Sequence, residues 1–122
     1  MGSTRRPKQY EQYSSQDERI EAAKNGDPSA FQFALHMDRE TLLLERPGAS
    51  GNRVFAWDPA SCTWTQHPTI RNLGVRNAEL FARNALDFTE PSVRSILNIT
   101  GQNINERIEE MREKLKAVML QD

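Results

Sequence analysis

The most regular pattern of apolar residues lies near the end of the chain, within residues 103–120. Five apolar side chains follow one another at intervals of 4, 3, 4 and 3 residues: Ile104, Ile108, Met111, Leu115 and Val118. This is the spacing of the a and d positions of a heptad helix, although only about two heptads are present. A helix of this length is marginal in water unless its apolar stripe is covered. We therefore predict a helix over 103–120 whose stripe packs either on the chain's own helices or on a partner protein.

The charged residues beside this stripe restrict the choice of partner. Arg107 and Lys114 occupy g positions of the heptad, and Arg112 occupies an e position. A parallel pair of identical helices would place g against e, and an antiparallel pair would place g against g and e against e. Both arrangements bring cations together, which disfavours the pairing. We expect the stripe either to dock on the chain's own helices or, with its basic flanks, to bind a different protein with an acidic rim, rather than to form a symmetric coiled-coil homodimer.

Two shorter helices are expected near the start of the chain. Ser15 and Glu18 have the spacing of a capping box, and Gly26 offers a helix end. Asp27 and Pro28 can cap and begin a second helix. Apolar residues follow at helical spacing, at Ala30, Phe31, Ala34 and Leu35.

Residues 41–66 have the composition of short strands joined by turns. Residues 41–46, 53–57 and 62–66 are rich in aliphatic, aromatic and β-branched side chains, as strands are. The intervening residues 47–52 contain Pro, Gly, Ser and Asn, which favour turns. These features predict a three-stranded antiparallel meander.

Helical spacing of apolar residues returns after Pro68. A broad apolar face from Leu73 to Phe88 predicts one helix, and Thr89-Glu90-Pro91 predicts the start of another, which Gly101 ends. The expected fold is therefore α+β and mostly helical, with a small three-stranded antiparallel meander. Residues 15–122 form a single globular domain in this interpretation, and residues 1–14 form a disordered, basic, Tyr-containing tail.

Composition narrows the class of protein without identifying it. The chain has 122 residues, with 16 Lys and Arg against 17 Asp and Glu, so its net charge of −1 favours neither nucleic acid nor an acidic membrane. The single cysteine excludes an intramolecular disulfide. No apolar run approaches the ~20 residues that span a bilayer. We expect an intracellular, cytoplasmic protein that does not associate with membranes.

Candidate catalytic residues are sparse. Cys62, His36 and His67 could form a nucleophilic set with Asp58, since imidazole can lower the pKa of a thiol. Only the residue types favour this, because nucleophile-elbow, phosphate-loop and His-Glu-x-x-His motifs are absent. We therefore expect no enzymatic activity, no cofactor and no metal site.

Two functions remain as hypotheses. The first is a non-enzymatic interaction or assembly module, an adaptor or structural subunit, that presents a helical surface through the stripe and its flanks. The alternative is a nucleic-acid-associated accessory protein, since cations in the tail and on the predicted helices could contact phosphates. The residues of that alternative site are Arg5, Arg6, Lys8, Arg71, Arg76, Arg83 and Arg94.

Overall fold

The computed structural model describes residues 13–82 and 91–121, with side chains at 79–82 left undescribed. Its helices are α1 (Gln16–Lys24), α2 (Pro91–Ile96) and α3 (Ile104–Val118), and a 3₁₀ turn spans Pro28–Ala30. Its strands are β1 (Gln32–His36), β2 (Leu42–Arg46), β3 (Arg53–Asp58), β4 (Thr63–Gln66) and β5 (Ala78–Ala82).

The strands form one antiparallel sheet in the order β4-β3-β2-β1-β5. Consecutive hairpins join β1 to β4, with Leu35 opposite Leu42 and Trp57 opposite Trp64. The chain then returns across the sheet, and β5 pairs with the other side of β1.

The two faces of the sheet carry separate hydrophobic cores, because successive side chains of a strand point to opposite faces. The first face packs against the helices. Its strands contribute Phe33, Leu42, Leu44, Phe55, Trp57 and Trp64, and its helices contribute Ala23, Val93, Met111, Leu115 and Val118. The second face is smaller: Ala34, Leu43 and Val54 are covered by Ile70 and Leu73 from the loop between β4 and β5.

The prediction of a mostly helical protein with a three-stranded meander is wrong. The three predicted strands are present as β2, β3 and β4, but two segments predicted as helices are strands of the same sheet. The first of these, β1, is apolar on both faces: Phe33, Ala34 and Leu35 are all fully buried. A short, continuously apolar run of this kind fits a buried strand as well as a helix.

The second misassigned segment is β5, which lies within the predicted helix that ran from Leu73 to Phe88. Its residues are Ala-rich, and alanine favours helices intrinsically. Backbone pairing with β1, such as Phe33 opposite Ala82, overrides that preference. The remainder of the predicted helix, residues 83–88, lies outside the described residues.

The N-terminal helix follows the prediction closely. The Ser15 side chain accepts a hydrogen bond from the Glu18 backbone N–H at 3.2 Å, and the left-handed turn after the helix contains Gly26 with φ of 78°. Residues 1–12 of the predicted tail lie outside the described residues. Tyr13, assigned to that tail, packs against the first core, and its hydroxyl donates to Asp27 Oδ2 at 3.0 Å.

A buried arginine ties the end of α3 to the sheet. The Arg46 guanidinium donates to the carbonyls of Pro47 at 2.9 Å and Gln121 at 3.0 Å, and it lies 5.9 Å from the centre of the Phe55 ring. The Gln121 side chain in turn donates to the Trp64 carbonyl at 3.1 Å. These contacts hold α3 in one position over β3 and β4.

Candidate functional site

The apolar stripe of the C-terminal helix packs on the chain's own core, one of the two alternatives that its sequence left open. Met111, Leu115 and Val118 are 5%, 0% and 1% exposed. Ile104 and Ile108 are half-buried and pack against the same core. A partner therefore cannot reach the centre of the stripe while the domain is folded in this way.

The basic flanks of the stripe lie on two different sides of α3. Arg112 is exposed on the flank whose backbone approaches Gly26, near the end of α1. Arg107 and Lys114 lie on the other flank, where they line a groove. This arrangement agrees with the heptad assignment, in which the g positions and the e position lie on opposite sides of the stripe.

The groove lies between α3, the end of α2 and the turn that joins β3 to β4. It encloses about 150 Å³. Its apolar lining consists of Trp57, Ile96, Leu97, Ile99 and Met111. Four of these side chains are less than a tenth exposed, and Ile96 is half-buried. The lining is therefore a part of the first core that remains open on one side.

Polar side chains surround this apolar lining. Arg107, Glu110 and Lys114 border the groove from α3, and Asn98 borders it from the end of α2. The Arg107 guanidinium donates to Glu110 Oε1 at 2.8 Å through Nη1, while its buried Nε has no hydrogen-bond partner. Among the described residues, the Lys114 ammonium and the Asn98 side-chain amide also have no partner. The Lys114 and Asn98 groups are available to a bound molecule, whereas the buried Arg107 Nε is not.

Asn98 is held at the groove by a helix-ending turn. It has a φ of 56°, a left-handed conformation that asparagine adopts more readily than most residues. The Ile99 N–H donates to the Arg94 carbonyl at 2.9 Å, and the Asn103 side chain donates to the Asn98 carbonyl at 3.3 Å. The sequence analysis did not select Asn98, because it lay within the helix predicted to end at Gly101, whereas the observed α2 ends at Ile96.

Cys62 completes the border of the groove from the turn between β3 and β4. Its thiol is exposed, and its backbone has a φ of 55°. Asp58 fixes this turn: its carbonyl accepts from the Cys62 N–H at 2.7 Å, and its carboxylate accepts from Ala60 N and Ser61 Oγ. Asp58 therefore has a structural role next to Cys62.

The proposed cysteine–histidine set is not assembled. Cys62 precedes β4 and His67 follows it, so the strand separates them by roughly 15 Å. His67 Nδ1 accepts hydrogen bonds from the N–H groups of Thr69 and Ile70, and burial together with the charge of His36 lowers the pKa of His67. His36 lies on β1 and contacts Asp38 at 3.2 Å. Within residues 13–82 and 91–121, no group of three His, Cys, Asp or Glu side chains could hold a metal ion.

The three arginines of the alternative site that the structure describes do not form one surface. Arg71 and Arg76 are exposed on the loop that covers the second face of the sheet, whereas Arg94 is exposed on α2, over the first face. The predicted helical face shared by Arg76 and Arg83 is wrong, because strand β5 lies between them. Arg5, Arg6, Lys8 and Arg83 itself lie outside the described residues.

Comparison of the chain with protein-family models, with curated proteins and with solved structures found no match. Of the helices that the structure describes, none has both the length and the apolar character needed to cross a membrane. The geometry of the groove is therefore the basis for assigning a function.

Proposed function

We propose that this chain is a non-enzymatic protein-interaction module, an adaptor or structural subunit, that binds a side chain of a different protein in the groove beside α3. The observation that carries the proposal is the groove itself: an apolar lining that remains open, bordered by polar groups that have no partner within the described chain. Apolar pockets of this kind can receive an anchoring side chain of a protein partner.

The size of the groove favours a protein side chain over a metabolite. Pockets for small molecules and cofactors commonly enclose about 300–1,000 Å³, whereas this groove encloses about 150 Å³. A volume near 150 Å³ accommodates a group of about the size of benzene. A leucine, isoleucine or phenylalanine side chain therefore fits, and full burial of such a side chain contributes about 1.5–3 kcal/mol.

The groove also replaces the heptad stripe as the binding surface. Leu115 and Val118 hold α3 on the sheet, so the helix presents its flank, with Arg107 and Lys114, in a fixed position. A pre-formed site of this kind binds without a large cost of ordering. We place this activity in the cytoplasm, where a lone exposed cysteine such as Cys62 stays reduced.

Selection of peptides from a random display library against the immobilised full chain tests this function. Ile96→Trp places a larger side chain in the groove, and Val75→Trp adds the same side chain on an exposed loop residue that is 85% accessible. We expect the wild-type chain and Val75→Trp to enrich peptides with a bulky apolar residue, and Ile96→Trp to enrich none of them. Equal enrichment by Ile96→Trp, with its fold verified by circular dichroism, would refute binding in the groove.

A further inference from the structure

The charges along the border of the groove are not balanced. Arg107, Glu110 and Lys114 are separated by three and four residues, so they follow one side of α3. The Arg107–Glu110 pair, at 2.8 Å, is satisfied within the chain. Lys114 has no ion pair among the described residues, although neighbouring Lys116 is paired with Glu113 at 3.0 Å. Two cations and one carboxylate leave this border with a net charge of about +1 at neutral pH.

This local charge is opposite in sign to that of the whole chain, which is −1. On the side of the groove that α3 forms, Arg107 lies at one end and Lys114 at the other. Because α3 rises 1.5 Å per residue, the backbones of Arg107 and Lys114 are about 10 Å apart. The apolar side chain of a bound segment would enter between them, next to Met111.

We infer that the occupant of the groove is an acidic segment of a partner protein, in which carboxylates flank one bulky apolar residue. This inference rests on the proposed function and specifies the chemistry of its partner. One carboxylate accepts from the Lys114 ammonium. The other accepts from the exposed part of the Arg107 guanidinium, whose side chain is 32% exposed beside Glu110. Charge-assisted hydrogen bonds of this type select carboxylates over neutral groups.

The two parts of the segment have different roles. The apolar side chain removes the groove lining from water and supplies most of the affinity. The carboxylates lie at a solvent-exposed border, where charges mainly increase the association rate and exclude wrong partners. Binding is therefore expected to weaken as the salt concentration increases, since exposed charges are screened.

Repeating the peptide selection with Lys114→Glu tests the charge of the occupant. We expect the wild-type pool to be enriched in Asp and Glu beside the apolar residue, and the Lys114→Glu pool to lose this enrichment and gain Lys and Arg. Synthetic copies of the strongest wild-type peptide should bind Lys114→Glu about tenfold more weakly, the effect of ~1.4 kcal/mol. Lys24→Glu, which makes the same charge change on an exposed side chain of α1, is the matched control and should bind as the wild type does.

The possible outcomes separate this inference from the proposed function. Peptide pools with bulky apolar residues but no preference for Asp or Glu would overturn the inference that the occupant is acidic, and would leave the proposal of groove binding intact. If no peptide is enriched by the wild-type chain and lost with Ile96→Trp, both the inference and the proposed function are overturned. A chain that sediments as a dimer, or that loses its peptide to single-stranded DNA, would show that a second copy or a nucleic acid occupies the groove instead and would also refute the inference.

Discussion

At the scale of single residues, short polar side chains shape this domain by accepting hydrogen bonds from nearby backbone N–H groups. Asp58 does so in the turn that carries Cys62, and His67 does so at the end of β4. Asp38 accepts two of these bonds, from Glu40 N and Thr41 N, in the turn between β1 and β2. Local bonds of this type give a turn its conformation without help from distant parts of the chain.

Asp38 should make the stability of the protein sensitive to acid. Burial opposes ionisation of this carboxyl, but hydrogen bonds from Glu40 N, from the Thr41 hydroxyl and N–H, and from His36 outweigh it and lower its pKa from 3.8 to about 2. A carboxyl whose pKa is lowered by folding stabilises the folded state above its unfolded pKa, and this contribution is lost as the pH falls through the folded value.

Asp38→Asn keeps one acceptor oxygen but cannot ionise. We expect the wild type to have the larger free energy of unfolding above pH 4, and the difference between the two proteins to shrink toward zero between about pH 4 and pH 2. Urea denaturation at a series of pH values measures it. A difference that stays constant over this range would contradict the role of the Asp38 charge.

At the scale of elements, the sequence predicts those helix ends and strands that interactions between neighbouring residues determine. The helix cap at Ser15, the helix end at Gly26 and the strands β2 to β4 depend on neighbouring residues, and the structure contains all of them, although the Glu18 carboxylate accepts from Ser14 and so leaves the capping box incomplete. β1 and β5 could not be predicted in this way. Each is apolar enough for a buried helix. β1 is a strand because it pairs with β2 and with β5, and β5 is a strand because it pairs with β1, across more than 40 residues of chain.

Gly26 lies in the turn that ends α1, and packing against α3 restricts the same position. Its φ of 78° is left-handed, and a Cβ at this position would lie 2.7 Å from the Arg112 carbonyl oxygen of α3. Glycine is therefore required twice, by the turn after α1 and by the close approach of α3. The sequence indicates the first requirement but not the second.

Gly26→Ala should destabilise the folded chain by about 1–3 kcal/mol, the cost of a strained left-handed residue with a close contact. Gly101→Ala is the control, because a Cβ at Gly101 meets no heavy atom within 4 Å. That change should alter the free energy of unfolding by about 0.5 kcal/mol or less. Equal effects of the two substitutions in chemical denaturation would show that α1 and α3 do not meet at Gly26.

At the scale of the whole molecule, the sheet separates a large helix-covered core from a smaller loop-covered one, and the groove is an opening into the large core. Its two α3 cations, Arg107 and Lys114, could be selected from the heptad pattern alone. The remaining lining could not, because Trp57 comes from β3 and Ile99 from the segment between α2 and α3. Residues so distant in the chain come together only through the topology of the fold.

The same topology explains why the stripe was an ambiguous signal. A heptad-spaced face needs apolar cover, and its sequence does not specify whether that cover is the same chain or another one. Here Phe33, Leu44 and Trp64 of the sheet belong to the same core as Leu115. The binding surface that we propose is therefore the flank of the helix rather than its most apolar face.

The most direct test of this account is the rate at which iodoacetamide alkylates Cys62, the only cysteine of the chain, which is exposed and lines the groove. A selected peptide at ten times its dissociation constant should slow alkylation about tenfold if it occupies the groove, since only the free chain then reacts. The same peptide should leave the rate unchanged in Ile96→Trp. A peptide that binds the wild-type chain without slowing alkylation of Cys62 would contradict the claim that this groove is the binding site.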